Sequence, residues 1–164
     1  WPKGLMRSPS PSQEYWIASE PRGLALETLL NFCAEVGSCC TLVDLFPQSK
    51  KGREARERFL MGTKPYLLGI NDVNSWPGTG GLKKTVPLWR FAMGAGLVDL
   101  LVVQTKGLYD FRAPKLPEDL VVYRADGSVL LGSVAHEYMG WMNLTAEEKA
   151  DTRLGLVELR SRGK

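Results

Sequence analysis

The residue pair best suited to chemistry in this chain is His136-Glu137, the sequence's one histidine beside a carboxylate. An imidazole titrating near neutral pH can serve as a general base if a second group orients it. The pair follows an apolar, strand-like run, and alternation along a strand sends neighbouring side chains to opposite faces. Glu137 is therefore not the expected partner. A base at His136 would need a carboxylate from elsewhere, such as Asp110, Asp119 or Asp126. That is the enzymatic reading, a hydrolase using His136 with a distant carboxylate. The alternative is a structural histidine hydrogen-bonded near a strand end, and it is the preferred one.

Two further sets of residues invite a chemical reading. Gly78-Thr79-Gly80-Gly81-Leu82-Lys83-Lys84 combines glycines with lysines, as a phosphate or nucleotide cradle would. It lacks the spacing of a phosphate-binding P-loop and precedes a strand-like segment, so a connecting loop is favoured. Cys33, Cys39 and Cys40 lack the C-x-x-C spacing of a zinc site, and one histidine does not complete a ligand set. No metal and no cofactor are expected. An odd cysteine count with two adjacent residues does not suit a secreted disulfide framework. It predicts reduced thiols and a cytoplasmic setting. The first residue is Trp1, not Met, and the opening segment lacks the apolar core of an intact signal peptide.

These residues need a scaffold. The chain has 164 residues, 44% of them hydrophobic and 24% charged, which suits one globular domain. The net charge of +3 is too small to indicate a dedicated nucleic-acid binder. No apolar run reaches the roughly 18–20 residues of a membrane span. The Ser/Pro tract Ser8–Ser12 predicts a flexible arm over residues 1–22, with the domain over 23–164.

Leu26, Leu29, Leu30, Cys33 and Val36 recur at helical spacing, and Gly37 marks the end of that helix. Cys40–Phe46 reads as a strand and Lys50–Met61 as a charged helix. Tyr66–Ile70 is a strand, and Thr85–Ala92 is another, which Pro87 pushes toward a sheet edge. Leu97–Val103 reads as a helix. Asp126-Gly127 between Leu120–Arg124 and Val129–Val134 predicts a hairpin with a two-residue type I′ turn, pairing Tyr123 with Leu130 and Val122 with Leu131. Thr145-Ala146-Glu147-Glu148 has capping-box spacing and opens a last helix running to about Leu159. The expected architecture is α+β: a mixed or antiparallel sheet, a central hairpin at about 120–134, and three to four helices.

The segments rich in aromatic and turn residues are Trp76-Pro77-Gly78-Thr79, Leu108-Tyr109-Asp110-Phe111, Pro114–Leu120, Arg124–Gly127 and Ser133–Glu137. Over residues 76–148 this string resembles a family of small uncharacterised bacterial proteins similar to immunity factors that neutralise a toxin. The resemblance implies a non-enzymatic binding protein whose partner is a cognate toxin. Asp110, Glu118, Asp119, Tyr138 and Trp141 are then the candidate partner-binding anchors.

Overall fold

The computed structural model describes residues 11–162. Those residues form eight strands and four helices. In chain order they are β1 (Gln13–Ile17), α1 (Leu24–Val36), β2 (Cys39–Val43), α2 (Lys50–Thr63), β3 (Leu67–Val73), β4 (Val86–Ala92), α3 (Ala95–Gln104), β5 (Glu118–Tyr123), β6 (Val129–Val134), β7 (Met139–Leu144), α4 (Ala146–Lys149) and β8 (Leu159–Ser161). The strands make one antiparallel sheet in the order β3-β4-β2-β5-β6-β7-β1-β8. This is the α+β class expected. No helix among the described residues is long and apolar enough to cross a membrane.

Helices α1 and α3 bury Leu26, Leu29, Leu30, Leu97 and Leu101 in the core that also holds Cys40, Leu42, Val122 and Leu131 from the sheet. Helix α2 is mostly charged and contributes one narrow stripe. Its Phe59 stacks on Trp89 of β4 at 5.8 Å and meets Phe91 edge-on at 6.1 Å. Arg56 lies 5.5 Å over the same indole. Phe46 also stacks on Trp89, at 5.9 Å, so two rings and a cation pack against the indole.

Four expectations change. Within the supposed arm, Gln13–Ile17 is a sheet strand paired with both β7 and β8; residues 1–10 lie outside the described residues. Strand β4 is interior, because β3 lies beyond it. Pro87 is tolerated there because β4's pairing with β2 begins only at Leu88, so its missing N–H breaks no rung with β2. The expected last helix stops after Lys149. A 3₁₀ turn capped by Asp151 follows, and the chain returns as β8, which pairs with β1. The hairpin turn is also different. Arg124 accepts from the Gly127 N–H at 2.9 Å and donates to the Ser128 carbonyl at 2.8 Å, closing a three-residue loop. Leu130 is then an extra residue, so Val122 faces Leu131 as expected while Tyr123 faces Val129.

Gly127 keeps its importance in this turn, at φ 86 with open space around it. The cost of a side chain there is purely conformational. Gly127→Val should destabilise by about 1–2 kcal/mol in a urea melt, whereas Gly127→Asn should lose much less. Equal losses would point to a steric cause instead.

The three cysteines are free. Burial pushes the Cys33 thiol up to about 12 and raises the Cys40 thiol as well, while Cys39 is only half-buried. Thiolate is the reactive species. A thiol-specific reagent should therefore titrate Cys39 first in the native protein and all three thiols after denaturation. A count of one after denaturation would mean a disulfide.

Candidate functional site

Asp110, Glu118, Asp119, His136 and Tyr138 gather at one end of the sheet. There β5 begins, β6 ends, and the segment from Gln104 to Pro117 crosses between α3 and β5. Antiparallel pairing places the start of β5 beside the end of β6, so Glu118, Asp119 and the 3₁₀ turn Ala135–Glu137 become neighbours. The segment also forms most of a cleft of about 800 Å³, completed by Glu20, Arg22 and Tyr138.

The cleft is laced by polar contacts. Glu20 accepts from the Tyr109 N–H at 2.9 Å and pairs with Arg22 at 3.0 Å. Asp110 accepts from the Gly107 N–H at 3.0 Å and lies 3.5 Å from Arg22. Burial, followed by the Glu20 charge, pushes the Tyr109 phenol up to about 12. Four cations line the cleft, Arg22, Lys106, Arg112 and Lys115, against two carboxylates, Glu20 and Asp110. Arg22 satisfies both carboxylates. Lys106, Arg112 and Lys115 form no ion pair among the described residues.

Tyr138 stands on the rim. Its backbone is left-handed at φ 51, a conformation that costs a tyrosine about 1–2 kcal/mol. It closes the 3₁₀ turn by donating its N–H to the Ala135 carbonyl at 3.1 Å. The ring meets Tyr109 edge-on at 6.0 Å, carries the Arg112 guanidinium 6.0 Å away, and is still 68% exposed. Tyr138 thus combines a left-handed turn-closing backbone with a large aromatic side chain left mostly in solvent.

Of the five expected anchors, Asp110, Glu118 and Tyr138 meet at this end. Asp110 lines the cleft with its charge already satisfied, and Glu118 is turned inward, where its Oε1 accepts from the Ala113 N–H at 3.0 Å. Asp119 is fully buried, so it offers a partner no surface. Its Oδ2 accepts from the Trp76 indole at 2.8 Å and its Oδ1 from the Ala135 N–H at 2.9 Å. Trp141 lies elsewhere. It packs with Trp16 at 6.4 Å, and it sits where a Cβ on Gly132 would come within 2.2 Å of its ring. The cations that the reading of anchors passed over, Arg112 and Lys115, belong to the cleft. Their signal in the sequence was their place in the turn-rich stretch around Pro114 and Pro117.

His136 sits in the 3₁₀ turn, not in a strand, so the argument from alternation does not apply to it. Its Nδ1 lies 3.8 Å from Glu118 Oε2. None of Asp110, Asp119 and Asp126 is hydrogen-bonded to it. The Gly78–Lys84 loop forms a tight turn in which Trp76 and Thr79 exchange both backbone hydrogen bonds, and the Leu82 N–H donates to the Asn74 carbonyl. The Thr79 and Leu82 amides of the loop are thus already engaged within the turn. Comparison of the chain with protein-family models, with curated proteins and with solved structures gives no significant match.

Proposed function

We propose that this chain is a non-enzymatic protein-binding domain, most concretely a bacterial immunity protein that covers the working surface of a cognate toxin. The observation that supports the reading is Tyr138. Strained residues cluster at functional sites, and an exposed tyrosine beside an arginine is a typical interface anchor. Lys106, Arg112 and Lys115 line the cleft beside Tyr138 without an ion pair among the described residues, which suits an acidic segment of the partner. On this reading Tyr138, among the expected anchors, is the central one, with Arg112 against its ring.

The hydrolase reading has less behind it. Among the described residues His136 forms no hydrogen bond to a carboxylate or to a serine, threonine or cysteine, and the Glu118 oxygen nearest it is beyond hydrogen-bonding distance.

The test is quantitative binding to the protein encoded beside this one, with both partners purified. Tyr138→Ala should weaken the complex by at least about thirtyfold, a loss of roughly 2 kcal/mol. Tyr138→Gly should do the same without lowering the melting temperature, because glycine relieves the left-handed strain. Lys115→Glu should slow association and flatten its dependence on salt. Wild-type affinity in all three variants would refute the assignment of this surface.

A further inference from the structure

Beside the cleft, a second set of side chains converges that the binding reading does not use. Glu118, Asp119 and His136 each place one ligand atom within 4.8 Å of the other two. Two carboxylates and an imidazole are a donor set for a divalent first-row metal. Glu118 is held by the Ala113 N–H through Oε1, so Oε2 is left toward His136 Nδ1 at 3.8 Å. That separation is too long for a hydrogen bond and close to the ~3–4 Å between two ligands that share one ion at ~2.0–2.2 Å.

Asp119 is fixed in place by hydrogen bonds, as metal-binding carboxylates commonly are. The Trp76 indole fixes one oxygen and the Ala135 N–H the other, and each oxygen keeps a lone pair. Charge balance points the same way. Asp119 is fully buried and the Glu118 side chain only 12% exposed, yet among the described residues neither pairs with a lysine or an arginine. Two adjacent buried carboxylates without a cation are costly, and an ion between them removes the cost. His136, with its side chain 53% exposed, leaves one side of the set open to solvent.

We infer that Glu118, Asp119 and His136 bind one divalent transition-metal ion, of which zinc is the representative, with coordination positions left open on the His136 side. This inference is independent of the cleft and of Tyr138. The full chain, stripped with a chelator, is titrated with zinc chloride by calorimetry, and its melting temperature is followed with and without zinc. The expected result is one equivalent bound with micromolar or tighter affinity and a melting temperature raised by several degrees. Cobalt should give a visible absorption band at the same stoichiometry.

His136→Gln and Glu118→Gln should each weaken zinc at least tenfold. Both are expected to fold: His136 is half-exposed, and glutamine at 118 keeps an oxygen for the Ala113 N–H. Cys39→Ser should bind as the wild type does. Zinc affinity unchanged in both ligand variants, or lost in Cys39→Ser, would overturn the site, as would the absence of any binding at millimolar zinc.

Discussion

Asp119→Ala should destabilise the protein by about 3–5 kcal/mol, the largest loss expected from any single polar truncation in this chain. The change strands two buried donors, the Trp76 indole and the Ala135 N–H, and also puts alanine at φ 57, where aspartate is better tolerated. Asp119→Asn is not a conservative rescue. Both carboxylate oxygens accept, so the amide's own N–H₂ must face one of the two donors. A loss of about 2–3 kcal/mol is expected, read as a lower urea midpoint. A double-mutant cycle with Trp76→Phe should return a coupling of about 1–2 kcal/mol. If Asp119 were instead an exposed anchor for a partner, the alanine variant would melt like the wild type, and that result would refute the buried pin.

The second large effect is expected at Glu148. Its carboxylate forms a two-pronged pair with Arg124, at 2.8 and 2.6 Å, and accepts from the Thr145 N–H in the capping box of α4. Arg124 also donates to the Asn143 carbonyl at 2.8 Å. One residue at the hairpin loop thereby holds the end of β7 and the start of α4. With side chains 21% and 17% exposed, this pair is shielded more than a surface bridge. Glu148→Gln should cost about 2–3 kcal/mol at neutral pH, because Arg124 is left charged and half-satisfied.

The same pair predicts a pH profile. The hydrogen bond from Arg124 holds the Glu148 carboxyl below its ordinary value of 4.5. Its folded pKa therefore lies below its unfolded one. The stability it contributes is complete above about pH 5 and is lost as the pH falls through the folded value. Asp151, drawn down to about 2 by Arg153, acts in the same direction at lower pH. Thermal melts at steps from pH 7 to pH 3 should fall more steeply in the wild type than in Glu148→Gln. Parallel curves would show that this pair does not set the acid limb.

Local signals in the sequence were legible where one residue's own chemistry decides the outcome. Leu26, Leu29, Leu30 and Cys33 place α1 because burial at helical spacing is a property of that segment alone. Thr145 and Glu148 place the α4 cap because the two reciprocal bonds span only three residues. Asp126-Gly127 locates the hairpin. The α+β class follows from such segments being interleaved along one chain.

The tertiary structure decided whatever depends on a count between strands or on a distant partner. Beside the Asp126-Gly127 turn, the inserted Leu130 changes which residue faces Tyr123. A bulge opposite Leu42 adds one residue to β5 and frees Asp119 from simple alternation, turning it inward to Trp76. The segment at residues 13–17 became a strand because β7 and β8 were both there to pair with it, a fact that no window around Gln13 contains. For the same reason Tyr138 and His136 could be picked out by type but not placed. Their neighbours, Arg112 and Glu118, lie 18 residues or more away in sequence and meet them only where β5 starts beside the end of β6.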